Sequence, residues 1–246
     1  MTDRAIASIQ ELIRNGDLPP GSRLPPESEL AVQLGVGRSS IREAVKALEL
    51  ARVLDVRHGD GTFVTSLEPH LLLEGVGFAI EFVQDDSVLE VVEVRRLFEP
   101  VATGLAASRI DAATLDRLAG HVAGMEQAGD DQEQLIHHDQ AFHSAVYAAT
   151  GNRTLVPILD GLSSRTLRAR TWRGVIEADA SQQTIREHRA IHQALADRDR
   201  RLAEAAALMH VNTSERWLRG VLTGGQGAAG PRHRPRNGSL APDRGR

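Results

Sequence analysis

Apolar positions in the first part of the chain fall into short helical blocks separated by turn formers. Ile6, Ile9, Leu12 and Ile13 recur at helical spacing and stop at Asn15-Gly16, which predicts a first helix. Leu18 to Leu24 reads Leu-Pro-Pro-Gly-Ser-Arg-Leu, an extended connector stiffened by proline. Pro25-Pro26 then opens a second helix to about Leu34, with Leu30, Ala31 and Leu34 inward. Gly35-Val36-Gly37 turns tightly into a third helix, roughly Arg38 to Leu50. Val53–Val56 and Thr62–Thr65 read as two strands joined through Arg57-His58-Gly59-Asp60-Gly61, where the Asp60-Gly61 step suits a hairpin turn.

From about residue 70 the pattern changes to long helical periodicity, broken at Asp85-Asp86, Gly129-Asp130, Gly151-Asn152 and Asp179. This predicts six or seven helices and no strand. The final stretch, Thr223 to Arg246, is rich in Gly, Pro and Arg with almost no large apolar residue, so disorder is expected there. No internal repeat of fixed period is present. The chain therefore divides into residues 1–66, 67–222 and 223–246. The fold class is mostly α: three helices and a β-hairpin, then an all-α bundle.

Composition narrows the chemistry. There are no cysteines among the 246 residues, which excludes disulfides, thiolate metal sites and cysteine nucleophiles. No apolar run reaches the length of a membrane span, and Met-Thr-Asp-Arg lacks a signal peptide's apolar core, so a cytoplasmic protein with no membrane partner is expected. Lys46 is the only lysine, and this reads as a compositional bias toward arginine. The net charge of -4 at first argues against nucleic acid as a partner. Divided along the chain, however, it is 8 basic and 9 acidic groups in residues 1–66, 16 and 23 in 67–222, and 5 and 1 in the tail. Residues 32–58 hold five basic groups against three acidic ones, a local excess on one element.

Two short helices joined by a Gly-containing turn form a helix-turn-helix pattern. At about 100° per residue, Ile41, Ala44, Val45 and Leu48 make one face of the third helix, and Arg38, Ser39, Arg42 and Lys46 share the other. Arg38, Ser39 and Ser40 occupy its first turn, where a recognition helix presents side chains to bases and phosphates. Arginine can bridge guanine O6 and N7, and serine hydroxyls and helix-terminal N–H groups suit phosphate. The hairpin, with His58-Gly59 at its tip, would be a wing reaching an adjacent groove.

These residues resemble the GntR family of bacterial transcription regulators, whose DNA-binding domain is a winged helix-turn-helix. The matching stretches run from Gly16 to Leu30 (Gly-Asp-Leu-Pro-Pro-Gly-Ser-Arg-Leu-Pro-Pro-Glu-Ser-Glu-Leu), from Gly35 to Leu48, and from Arg57 to Val64. The resemblance implies DNA contacts from Arg38, Ser39, Ser40, Arg42, His58 and Gly59. Some relatives carry arginine where Ser28 stands, so a phosphate or base contact is expected to be missing here.

Six of the ten histidines fall between positions 137 and 210. Asp139 and His143 are four apart on one predicted helix, so their Cβ atoms lie about 5–6 Å apart on one face and can share a metal ion. His188 and His210 lie on later helices within apolar patterns. One carboxylate and three imidazoles suit zinc, nickel, manganese or iron; the alternative is a set of bundle histidines each satisfied by a backbone partner. The segments Asp139-Gln-Ala-Phe-His143, Thr150-Gly-Asn-Arg153, Glu187-His-Arg-Ala-Ile-His192 and Met209-His210 resemble the ligand-binding (FCD-type) domain of the FadR subfamily. In its metal-binding branch an aspartate and three histidines hold one divalent ion, zinc foremost. Carried over by position, these are Asp139, His143, His188 and His210, with His192 as the substitute one turn from His188.

Leu89 to Pro100 matches that domain's opening helix. Arg95 flanks an apolar stripe of Val94, Leu97, Val101 and Leu105, and is expected to point inward, either to an effector carboxylate or to a structural glutamate. The resemblance implies a small organic acid as effector, its carboxylate completing the metal's coordination. The expected whole is a homodimeric repressor that binds a palindromic double-stranded DNA operator and is not an enzyme. The rivals are a metal-dependent hydrolase or lyase, and a regulator whose signal is the metal itself.

Overall fold

The computed structural model describes residues 1–73, 75, 88–166 and 179–224, the last three of these as backbone. The expected break at Asp85-Asp86 and the tail beyond residue 224 lie outside the described residues.

The first unit is built as its pattern predicts. Helices α1 (Thr2–Arg14), α2 (Glu27–Leu34) and α3 (Arg38–Leu50) enclose one apolar core, with Ile9, Leu30, Ile41, Ala44 and Leu48 buried. Gly35 at φ +62° ends α2 in the left-handed conformation that glycine adopts without strain, so α3 can leave in a new direction. Strands β1 (Leu54–Arg57) and β2 (Gly61–Val64) pair antiparallel, Leu54 opposite Val64 and Arg57 opposite Gly61. Each strand sits one residue nearer the tip than expected, and the turn is His58-Gly59-Asp60, with Gly59 at φ +80°.

The connector before α2 differs from expectation. Pro19 and Pro20 lead into a turn closed by Ser22 N–H to the Pro19 carbonyl, and residues 21–24 then pair along β2. Gly21 N–H donates to Val64 O, Val64 N–H to Ser22 O and Leu24 N–H to Thr62 O, with a bridge between Arg23 and Phe63. The free edge of a two-stranded hairpin has unpaired backbone groups, and along β2 the connector satisfies them.

Beyond the short α4 (Pro69–Leu72), the second unit is helical throughout its described residues: α5 (Val88–Ala107), α6 (Ala112–Gln127), α7 (Gln132–Ala149), α8 (Leu155–Arg165), α9 (Ala180–Ala196) and α10 (Arg200–Gly224). Its main core joins five of these around Ile110, Leu118, Met125, Phe142, Ile191 and Leu195. The breaks at 128–131 and 150–154 fall where expected, but two more occur, at 108–111 and 197–199. Asp111 accepts from Thr114 N–H at 2.7 Å and Asp199 from Leu202 N–H at 2.9 Å, so each break is an aspartate-capped helix start. α10 continues through Gly224, past the boundary expected at 222. Among the described residues no helix is long and apolar enough to cross a membrane.

On α5 the expected stripe is only partly inward: Val94 and Leu105 are half-buried, but Leu97 and Val101 face out. Val91, Val92, Arg95, Glu99, Ala102 and Ala106 are buried, whereas Leu97, Phe98 and Val101 are 62%, 49% and 55% exposed. The helix is apolar on two sides, and the buried side takes the oppositely charged pair because each neutralises the other.

Replacing Leu118, fully buried between α6 and its neighbours, with alanine should lower unfolding free energy by about 2–5 kcal/mol, read from the urea midpoint.

Candidate DNA-contact face and buried donor cluster

Burial of Ile41, Ala44, Val45 and Leu48 turns the other side of α3 outward. Arg38, Ser39, Arg42 and Lys46 are exposed and Ser40 is half-buried. Gly37 is the N-cap and supplies no side-chain cap, so the first-turn N–H groups of α3 keep their donors free of one. Arg42 does not stand alone: its Nε and Nη2 donate to Glu27 Oε2 at 3.3 and 3.2 Å, and Lys46 pairs with Glu43 at 3.1 Å. The cationic excess of this face is thus partly balanced by acidic neighbours. His58 and Gly59 are exposed at the hairpin tip. Arg57 stacks its guanidinium 4.4 Å from the centre of the Phe63 ring and pairs with Asp55. Ser28, on α2, is half-buried.

Arg23 was not singled out by its sequence position. Its guanidinium lies against Gly61 so closely that an added Cβ there would come within 2.6 Å of Nε. Backbone pairing to Phe63 therefore places an additional exposed cation along β2, its guanidinium beside Gly61 next to the turn. A sequence signal existed only in the connector's β-like register with Thr62 and Val64.

In the second unit Asp139, His143, His188 and His210 are all buried, and each offers an atom within 4.8 Å of the others. α7 supplies the first two at i and i+4, α9 the third and α10 the fourth. His188 Nε2 is 3.2 Å from both His143 Nε2 and Asp139 Oδ1, and His143 Nε2 is 3.8 Å from that oxygen. Ligands bound at the usual ~2.0–2.1 Å around one tetrahedral ion stand about 3.3 Å apart, so these separations are those of a coordination shell. The three imidazole centroids are 4.8–5.0 Å from one another, and Phe142 packs its edge against His143 and His188.

The outer nitrogens are already engaged. His188 Nδ1–H donates to the Thr184 carbonyl at 2.8 Å, and His210 Nδ1–H donates to Glu187 Oε2 at 2.9 Å. Each bond fixes the tautomer that leaves Nε2 with a lone pair facing the cluster. His210 Nε2 is buried and has no hydrogen-bond partner in the structure, an arrangement that a cation would satisfy. Burial pushes the His210 pKa below the ordinary range; Glu187 opposes this and the neighbouring His188 adds to it. Burial alone would raise the Glu187 carboxyl, but the hydrogen bonds from His210 and Gln183 hold it below the usual range. The donor set therefore fits a divalent cation of the zinc, nickel, manganese or iron type. His192 lies elsewhere, its Nε2 3.2 Å from the Leu115 carbonyl.

Glu187 is the residue that the sequence pattern missed. It adjoins His188, and nothing in its spacing marks it as a partner of the cluster. Only the register of α10 against α9 sets it behind His210.

Arg95 is inward and fully buried, but its guanidinium is engaged: Nε and Nη2 reach Glu99 at 2.5 and 3.2 Å, and Nη1 reaches Thr166 Oγ1 at 2.6 Å. Of the two partners expected for it, the structure shows the glutamate. Burial works against the charge, yet Glu99 raises the Arg95 pKa overall, with smaller contributions from Tyr147 and Asp139.

A winged helix-turn-helix joined to an all-helical domain is the architecture of a DNA-binding regulator. Residues 1–64 match the family described as bacterial regulatory proteins, gntR family, and residues 90–213 match the FCD domain. The HTH-type transcriptional regulator LutR of Bacillus subtilis is 31% identical over 213 residues, covering 85% of this chain and 97% of the relative. The galactonate operon transcriptional repressor of Escherichia coli is 30% identical over 225 residues, covering 89% and 97%. A solved GntR structure from Streptococcus agalactiae superposes with a TM-score of 0.64 at 28% identity, covering 88% of this chain and all of the other. The chain belongs to the gntR family of bacterial regulatory proteins and carries an FCD domain. It is a transcription regulator, not an enzyme.

Chelator-treated protein should lose stability as pH falls. The unfolded chain accepts a proton on His210 below the ordinary histidine value that the folded chain refuses, and below the ordinary glutamate value the same holds for Glu187. Both contributions have the same sign, so urea midpoints should drop from about pH 7.5 to 5 through His210 and further below about pH 5 through Glu187; a flat profile would contradict the assigned protonation states.

Proposed function

We propose that this regulator is a homodimeric repressor, acting on chromosomal DNA in the cytoplasm, that binds a palindromic operator and responds to a small carboxylate bound beside a divalent cation in its helical domain. The observation carrying this reading is the buried convergence of Asp139, His143, His188 and His210 in a chain that also bears a winged DNA-binding unit. Zinc is the first candidate, with nickel, manganese and iron as alternatives.

For DNA, Arg38, Ser39, Ser40 and Arg42 on α3 would enter the major groove, and His58 and Gly59 would reach beside it. Arg42 would exchange Glu27 for a phosphate or base. A twofold dimer reads a twofold site. The exposed stripe of Leu97, Phe98 and Val101 on α5 supports dimerisation, because apolar side chains grouped on one helix face gain by covering one another.

In the helical domain Asp139, His143, His188 and His210 would hold the ion and Glu187 would orient His210. When bound, the cation supplies a Lewis-acid attachment point for a carboxylate oxygen. Arg95 is the nearby buried cation for which an incoming carboxylate would compete with Glu99. One relative is named for the galactonate operon, and galactonate is itself a carboxylate, which supports this effector class.

A path to the DNA-binding unit starts on α7, which carries two of the four donors. The loop after it bears Arg153, which pairs with Glu68 at the start of α4, just past the winged unit. The Arg153 hydrogen bond is the main cause that holds the Glu68 carboxyl below its usual range. Coupling requires that effector and DNA favour different arrangements of this junction.

Operator footprinting combined with a screen of small carboxylates tests the reading, with a protected site of twofold symmetry and one class of acid shifting operator affinity as the expected result. Arg38→Ala should weaken operator binding by about 1–3 kcal/mol, or about 5- to 150-fold, with the bundle's melting unchanged. Glu187→Ala should reduce cation affinity about 10–100-fold in competition with a chromophoric chelator. Arg153→Ala should leave cation and operator affinities near the original while flattening the effector response. Should titrating the cation alone, without any acid, produce the whole change in operator affinity, the metal itself is the signal.

A further inference from the structure

A second group of histidines lies outside the buried cluster. His121 on α6 and His138 on α7 approach with their Nδ1 atoms 3.2 Å apart, and their rings are tilted by 51° at a centroid separation of 5.6 Å. His137, exposed, sets its ring edge-on to His138 at 5.3 Å. A nitrogen–nitrogen distance of 3.2 Å matches two ligands on one first-row cation, since bonds of ~2.0–2.1 Å at tetrahedral angles span about 3.3 Å.

The packing around this pair is specific. Gly124, one turn after His121 on α6, lies directly under the His138 ring: a Cβ there would come within 2.4–2.6 Å of Nε2, Cε1 and Cδ2. A glycine inside a helix costs about 0.5–1 kcal/mol relative to alanine, and here its missing side chain is what seats the imidazole against α6. Both rings are half-buried, so solvent reaches the pair.

We infer that His121 and His138 form a second, exchangeable site for a divalent first-row cation such as Zn2+, tying α6 to α7 one residue before Asp139. Two protein nitrogens leave the remaining positions to water. The positive charge of Arg117, which donates to Thr114 Oγ1 at 2.9 Å, opposes a cation here. The site is accordingly weaker than the four-donor cluster. Borderline cations suit imidazole, whereas Mg2+ and Ca2+ prefer oxygen and should not bind.

Zn2+ titration of chelator-stripped full-length protein by calorimetry at pH 7.5 tests this. Two equivalents per chain are expected, one tight and one weaker. His121→Asn should abolish the weaker step while retaining the tight one, which also shows that the variant is folded. Gly124→Ala keeps both histidines but displaces the His138 ring, and should weaken the same step about 10–100-fold, as losing an outer support does. His143→Ala should disturb only the tight step, so failure of the buried-cluster reading would be seen separately. Uptake of a single equivalent that His121→Asn retains, or an undiminished weaker step in His121→Asn, would overturn the assignment.

Discussion

Four buried polar donors at one point in a helical bundle constrain everything around them. Three imidazoles and a carboxylate removed from water each need a partner, and an unsatisfied buried group costs about 1–3 kcal/mol. The bundle answers from outside the cluster: Thr184 takes the far nitrogen of His188 and Glu187 takes that of His210. The Glu187–His210 bond fixes α9 against α10, and both bonds aim the remaining nitrogens inward. The helix spacing of Asp139 and His143 does the same from α7. Helix register, ring tautomer and the direction of the lone pairs are therefore one arrangement.

The same reasoning explains α5. A helix with apolar residues on two sides can bury either, and the choice falls to the side bearing Arg95 and Glu99. Four residues apart, they form a pair within the helix, and Thr166 completes the guanidinium's bonding. A buried pair satisfied in this way leaves the opposite stripe of Leu97, Phe98 and Val101 outside. In the winged unit, backbone accounting plays the equivalent part. The connector before α2 pairs with β2, and Arg23 is thereby fixed alongside that strand.

Much of this was legible in the residues. The apolar face of α3, its bounds, the glycine turn before it and the hairpin followed from local periodicity, because neighbours in sequence decide them. Asp139 and His143 were legible for the same reason, since four residues on a helix is a fixed distance. The breaks at Asp111 and Asp199 carried a capping signal but lay within unbroken apolar periodicity, which masked it. Arg95 was expected inward and is, but Leu97 and Val101 of the stripe assigned beside it are exposed, because a helix apolar on two sides does not show by counting which side is buried. Glu187, Arg23 and the His121–His138 pair had no local mark, for their partners lie 23, 40 and 17 residues away.

The sequence by itself determined a winged DNA-binding unit, a helical domain and the residue types able to hold a cation, because these rest on helix spacing, turn chemistry and the absence of cysteine. Tertiary structure alone decided that four donors from three helices meet, that His210 is braced by Glu187, and that Arg95 is already engaged by Glu99. Helix periodicity states which residues share a face. Only the packing of one helix on another determines which faces meet, since close-packed side chains permit few registers.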